Sequence, residues 1–245
     1  MEATRAAARD YPAPFIKKAA ELQKRIGHTF SDPLLLYEAL THSSFANEHK
    51  SPVFPYNERI EFLGDSVLHF SVTREIYARC PDLNEGGLSK LRSAVVCDAA
   101  LSEYGFSIGL DAAILLGHGE RQSGGVRPSI VADATEALIA ALYLDAGLEK
   151  ASAFVLTLTR AKIDALSGGE HLRDHKSQLH ELTQTDPTSR LEYVLIGESG
   201  PDHDKRFETE VRLNGNPIGH GEGRSKRESE QAAAGEALKL FGIES

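Results

Sequence analysis

Two short acidic segments about seventy residues apart constrain this chain more than anything else in it. The first is Asn57-Glu58-Arg59-Ile60-Glu61-Phe62-Leu63-Gly64-Asp65-Ser66-Val67-Leu68. It reads as the opening of a long helix, with Asn57 as the expected N-cap and Glu58 in a first turn whose dipole favours negative charge. Ile60, Leu63, Val67 and Leu68, continued by Val72 and Ile76, form an apolar stripe at helical spacing. Glu58, Glu61 and Asp65 fall at i, i+3 and i+7 and so share one side of the helix. Such a row repels itself unless solvent, a cation or a basic partner compensates it. A solvated acidic face is the ordinary explanation.

The second segment argues against that explanation. Ser129 to Ile139 holds Asp133 and Glu136 at i, i+3 within apolar and small residues, in a helix expected to run to about Leu144. Carboxylates are seldom placed in so apolar a setting without a partner. If the two helices met, Glu61, Asp65, Asp133 and Glu136 would form an all-oxygen nest suited to Mg²⁺ or Mn²⁺. Spacing alone does not show that they meet.

Taken together with their neighbours, these segments resemble the ribonuclease III family, endonucleases of double-stranded RNA, in its bacterial form. The likeness rests on the Asn57–Leu68 stretch, Leu40-Thr41-His42-Ser43, Asn84 to Arg92, Leu116-Gly117-His118-Gly119-Glu120, Ser123-Gly124-Gly125 and the Asp133/Glu136 helix, in that family's order and at matching separations. It implies metal-assisted hydrolysis of RNA with Mg²⁺, for which Mn²⁺ is a plausible substitute. Glu61, Asp65, Asp133 and Glu136 would be the metal residues, and Asp65 and Glu136 the catalytic ones. Products with a 5′-phosphate and short 3′ overhangs are implied, as is processing of ribosomal RNA precursors, messenger RNA and other structured transcripts. A homodimer is implied too, with Phe62 inserting into the partner and Glu58 and Glu85 supporting the cleft near the interface. Arg59, Lys90 and Arg92 could position phosphates, although solvation explains isolated basic residues equally well.

The rest of the chain divides by periodicity. Helices are expected over 13–26, ended by Gly27, over 34–40 after Asp32-Pro33, from Asn57 to about Arg79, over 88–104, 129–144 and 148–166. A polar loop through Pro52 and Pro55 and a Gly-rich loop over 117–125 separate them. The latter is too irregular for a phosphate-cradling loop. Nothing before Leu166 reads as a strand, so the fold class is an all-α endonuclease domain over 13–166. A linker, 167–173, and a small α+β domain, 174–243, follow. That domain has a helix over 174–184 and strands over 191–197, 207–213 and 217–223. Asn214-Gly215 marks the hairpin, and the last helix covers 225–241.

That αβββα order resembles the double-stranded RNA-binding domain. Arg224, Lys226 and Arg227 cluster where a helix N-terminus already attracts phosphate. Gln178, Glu181, Pro201, His203 and Gln231 complete the RNA-contacting set that the resemblance implies. His180, Leu182 and Ser229 depart from the usual pattern.

Charge cuts the other way. Residues 1–170 carry 17 basic and 22 acidic residues and residues 171–245 carry 10 and 14, so both parts are acidic, at −5 and −4. An RNA-binding protein must then concentrate its positive charge locally. No stretch has the roughly 18 to 20 apolar residues a membrane span needs. The first twelve residues lack a signal peptide's apolar core, and the two cysteines have no zinc or redox spacing. These features fit a reducing cytoplasm. The ten histidines, His42 among them, show no ligand spacing. Two rival readings remain: an RNA-binding protein of these folds that does not cleave, which loss of a metal carboxylate would mark, and an unrelated helical metal-binding protein, which leaves the second domain unexplained.

Overall fold

The computed structural model describes residues 11–49, 54–122, 124, 126–167, 174–184, 188–201 and 204–243. The chain splits into two compact units, residues 1–169 and 170–245, each of which is described by itself.

The first unit is helical: α1 (Ala13–Ile26), α2 (Pro33–Leu40), α3 (Ser43–Glu48), α4 (Glu58–Arg79), α5 (Glu85–Val96), α6 (Asp98–Ser107), a 3-10 turn (Asp111–Ala113), α7 (His118–Gln122), α8 (Pro128–Ala146) and α9 (Leu148–Ser167). Helix α8 is the hub. Residues Ile130 to Leu142 are buried apart from Asp133 and Glu136, and the helix packs against α2, α4, α6 and α9. Where α4 crosses it, only glycine fits, because a Cβ on Gly64 would overlap the backbone oxygen of Glu136. Helix boundaries follow local chemistry. Gly27 ends α1 at a φ of 66°, and the Asp32 carboxylate accepts from Leu34 N to start α2.

The structure corrects several expectations. Asn57 does not cap α4 with its side chain; it is buried, in αR geometry, and its N–H donates to Thr41 O at 2.9 Å. The expected helix over 88–104 is two helices, broken at Cys97, whose ψ of 156° is extended. The Val95 carbonyl freed by the break accepts from the Tyr104 hydroxyl at 3.1 Å. The polar loop before Pro55 begins as α3, and the Gly-rich loop contains α7. The two are linked, since the Glu48 carboxylate at the end of α3 accepts from His118 N at 2.7 Å and Gly119 N at 3.2 Å. Those bonds hold the Glu48 carboxyl below its ordinary range. Ser123 and Gly125 lie outside the described residues. Thr41 and Leu115 form an isolated parallel bridge that ties the Leu40–Ser43 motif to the segment before α7.

The second unit runs α10 (His175–Thr183), β1 (Leu191–Ser199), β2 (Arg206–Leu213), β3 (Asn216–Gly223) and α11 (Lys226–Leu240). The antiparallel sheet has the order β1-β2-β3. Asn214 and Gly215, at φ of 51° and 81°, make the tight hairpin between β2 and β3. Its core joins Leu179, Val211, Ala233, Ala234, Ala237 and Leu238. Small residues let α11 lie directly on β3, since a Cβ on Gly219 or Gly221 would strike the α11 backbone.

Ser229, which departs from the usual pattern, is fully buried. Its hydroxyl donates to Lys226 O at 2.9 Å and lies 2.7 Å from the buried Thr209 hydroxyl. Ser229→Ala alone should cost about 1 to 3 kcal/mol by orphaning Thr209 Oγ1. The double variant Ser229→Ala, Thr209→Val should recover much of that loss in chemical denaturation of the full chain.

Candidate nuclease site and RNA interface

The Gly64 contact sets helix α4 against helix α8 at the level of the acidic residues. Glu61, Asp65, Asp133 and Glu136 are each half-buried, and their charges act on one another. Burial, then the charges of Asp133, Glu58, Asp65 and Asp98, push the Glu61 carboxyl up to about 7. Burial, then Asp65, Glu61, Asp133 and Asp98, push Glu136 up to about 8. Asp133 is raised as well, by burial and by Asp98, against a lowering effect of His42. The physical cause is common to all three: carboxylates from two helices share a desolvated region. Among the described residues no lysine or arginine pairs with Glu61, Asp133 or Glu136.

The residues present fit a divalent cation. The donors are all oxygen, the choice of Mg²⁺ and Mn²⁺, and His42 and His69 are the basic side chains that act on them among the described residues. Among the described residues no three His, Cys, Asp or Glu side chains converge closely enough to enclose an ion.

Two neighbours of the cluster were not singled out from the sequence. Asp98, the exposed first residue of α6 after the break at Cys97, acts through its charge on Glu61, Asp133 and Glu136. His69, one turn beyond Asp65, places its Nδ1 2.9 Å from Asp65 Oδ1. Its i, i+4 spacing from Asp65 was the available signal. His42 lies at the Asp133 side, and its Nδ1 accepts from Ser44 N at 3.2 Å. The Ser44 hydroxyl, itself an acceptor for Gly117 N, stands 2.8 Å from the same nitrogen.

The remaining expected residues fall outside the cluster. Glu58 is exposed at the start of α4, although its charge reaches Glu61 and Asp133. Glu85 is exposed at the start of α5 and accepts from the Ser89 hydroxyl at 2.9 Å. Arg59 is exposed, Lys90 half-buried, and Arg92 donates to the Thr73 hydroxyl. Phe62 is 79% exposed, which removes the possibility that it is core of the single chain.

In the second unit, Ser225 caps α11 by accepting from Glu228 N, while the Glu228 carboxylate accepts from Arg224 N at 2.8 Å. This presents Arg224, Lys226 and Arg227, all exposed, around a helix N-terminus. Gln178 and Glu181 are exposed on α10, and Pro201 is exposed after β1. His203 lies outside the described residues. Gln231 is engaged inside the fold: its amide nitrogen donates to Asp174 Oδ1 at 2.8 Å and its oxygen accepts from Lys176 N at 3.2 Å. It therefore ties α11 to α10 rather than reaching outward.

Comparison with known proteins places both units in known families. The ribonuclease-III-like family model matches residues 32–162 and the double-stranded RNA binding motif matches residues 175–240. Ribonuclease 3 of Bacillus cereus strain AH187 is 44% identical over 218 residues, 89% of each chain. Ribonuclease 3 of Bacillus anthracis strain A0248 is equally similar. The chain belongs to the ribonuclease III family. The first unit is accordingly its nuclease and the second its double-stranded RNA-binding motif. Among solved structures, the nuclease domain of Campylobacter jejuni ribonuclease III is 39% identical with a TM-score of 0.53, covering 58% of this chain and 95% of that one. Dicer from Pichia stipitis is 28% identical with a TM-score of 0.50, covering 86% and 95%. No helix among the described residues of this ribonuclease III member is long and apolar enough to cross a membrane.

Raised carboxyl values dictate a pH dependence. Glu136 rises from an ordinary 4.5 to about 8, so the stability tied to its neutral form is complete below about 4.5 and lost as pH climbs through about 8. Without divalent cation, the melting temperature of the parent should therefore fall relative to Glu136→Gln between pH 5 and pH 8. Millimolar Mg²⁺ at pH 8 should reverse the fall. Calorimetric scans that show a constant difference between the two proteins across this range would contradict the coupling.

Proposed function

We propose that this chain is an endoribonuclease that cleaves double-stranded RNA by divalent-cation-assisted hydrolysis of the phosphodiester. The observation that carries the reading is the packing of α4 on α8, which sets Glu61 and Asp65 beside Asp133 and Glu136 in one half-buried acidic region. Mg²⁺ is the proposed ion, with Mn²⁺ as a substitute. When bound, the ion supplies Lewis acidity, making a water acidic enough to attack and offsetting charge that builds on the phosphate. Glu61, Asp65, Asp133 and Glu136 hold the ion, and Asp65 and Glu136 are the pair on which the reaction depends. Products carry a 5′-phosphate and short 3′ overhangs. Ribosomal RNA precursors, messenger RNA and other structured transcripts are the proposed substrates, in the cytoplasm. Two unpaired cysteines, Cys80 and Cys97, support such a reducing compartment.

The RNA is held by the second domain, for which we take residues 174–243, joined through 167–173 to a nuclease domain of 13–166. Arg224, Lys226 and Arg227 at the α11 N-terminus are the phosphate-binding group, aided by the partial positive charge of the helix end. Gln178, Glu181 and Pro201 contact RNA from exposed positions. His203 is proposed on the resemblance alone. This placement answers the unfavourable net charge, since the basic residues that matter sit together.

The enzyme works as a homodimer built on α4. Phe62, Phe70 and Tyr77 are 79%, 51% and 74% exposed. At 100° per residue they lie within roughly 80° of one another around the helix. A row of large exposed aromatics on one helix face fits a protein interface. The Campylobacter jejuni nuclease domain is described as having a region involved in dimer formation. A two-fold dimer would present the same chemistry to both antiparallel strands of a duplex, with Glu58 and Glu85 supporting the cleft.

Glu136→Gln preserves shape and removes charge, so gel-shift binding of long duplex RNA should persist while cleavage in Mg²⁺ falls by orders of magnitude. Cleavage at the parental rate would overturn the assignment. Analytical sedimentation at micromolar concentration should give a mass near twice 26.6 kDa. Phe62→Ala should shift that mass towards the monomer.

A further inference from the structure

The Asp65–His69 contact has no part in the chemistry described so far. We propose that His69 is a positioning residue of the nuclease site: its Nδ1–H fixes the Asp65 carboxylate for cation binding. The inference rests on the proposed role of Asp65 and adds a residue that the acidic pattern does not contain. His69 Nδ1 lies 2.9 Å from Asp65 Oδ1 and 3.1 Å from the Asp65 backbone oxygen. Both of these are acceptors, so the nitrogen between them carries the proton. The neutral δ tautomer and the imidazolium both have that proton, so the arrangement does not depend on the charge state of the ring.

What the contact does follows from the neighbours of Asp65. Its charge acts on both Glu61 and Glu136, and like charges favour turning its side chain out towards solvent, to which it is already 50% exposed. The imidazole proton opposes that turn. It occupies Oδ1 and leaves the second carboxylate oxygen for a cation. Such outer hydrogen bonds orient ligating carboxylates and raise affinity for the ion. A purely structural role is a poor alternative. The pair spans one turn of a single helix, and its side chains are 40% and 50% exposed, conditions under which an ion pair adds little to stability.

The test compares the parent, His69→Ala, His69→Asn and Asp65→Asn as full-length proteins. Mn²⁺ affinity is measured by calorimetry without RNA, together with melting temperature and steady-state cleavage of long duplex RNA. Asparagine at 69 places an amide N–H close to the position of Nδ1. His69→Ala should bind Mn²⁺ about 10- to 100-fold more weakly, with kcat reduced, KM for RNA little changed and melting temperature near that of the parent. His69→Asn should recover most of the affinity. Parental Mn²⁺ affinity in His69→Ala, or no recovery in His69→Asn, would overturn the inference. Asp65→Asn separates the two levels of the argument. If it too binds Mn²⁺ and turns over like the parent, the proposed site is wrong. If it fails while His69→Ala matches the parent, only the role of His69 falls.

Discussion

The close approach of α4 and α8 at Gly64 is the constraint on which the nuclease unit depends. A backbone oxygen of α8 occupies the space that any Cβ at this position would need, so the two helices touch at main-chain distance. That contact brings two acidic patches, each tolerable on its own helix, into one partly desolvated region. Folding buries apolar surface along α8 and accepts electrostatic repulsion among Glu61, Asp133 and Glu136 as a consequence. Natural chains retain such conflicts at functional sites, where a ligand relieves them.

Supporting structure is arranged around that crossing. The Leu40–Ser43 motif carries no acidic residue, yet it fixes the surroundings of the cluster. Thr41 O receives the Asn57 N–H at the start of α4, and His42 N donates to Leu115 O. Ser44 links Gly117 N to His42 Nδ1. Three stretches distant in sequence are thereby held at one end of α4 by hydrogen bonds that satisfy otherwise unpaired backbone groups. The RNA-binding unit solves a different problem with small residues. Glycines in β3 and alanines in α11 bring helix and sheet together, and the capping bonds of Ser225 and Glu228 leave the adjacent basic side chains exposed to solvent.

Acidity and RNA recognition coexist here through segregation. The outer face of the small sheet carries Glu208 opposite Glu222 and Glu210 opposite His220, whereas Arg224, Lys226 and Arg227 gather at one helix end. Net charge sums over these surfaces and conceals the separation, so it is a weak guide to what a domain of this kind binds.

Much was legible in the sequence because it is local. The ends of α1 and α2, the stop of α4 before Pro81, the Asn214-Gly215 hairpin and the order of elements in the second unit follow from periodicity, caps and turn residues, which act over a few positions. The acidic residues could be singled out as anomalies of pattern, and the family resemblance joined them. Tertiary structure alone decided the rest. Asn57 is buried against Thr41 rather than capping; the helix expected over 88–104 breaks at Cys97, with the Asp98 charge felt by the cluster; Gln231 is held between Asp174 and Lys176. Hydrogen bonds of the folded chain accompany each departure, Asn57 N–H to Thr41 O, the Tyr104 hydroxyl to Val95 O and the Gln231 amide to Asp174 and Lys176, because buried polar groups need partners. The meeting of the two acidic helices is of the same kind. Spacing gives the face of each helix, but only packing at Gly64 puts those faces together.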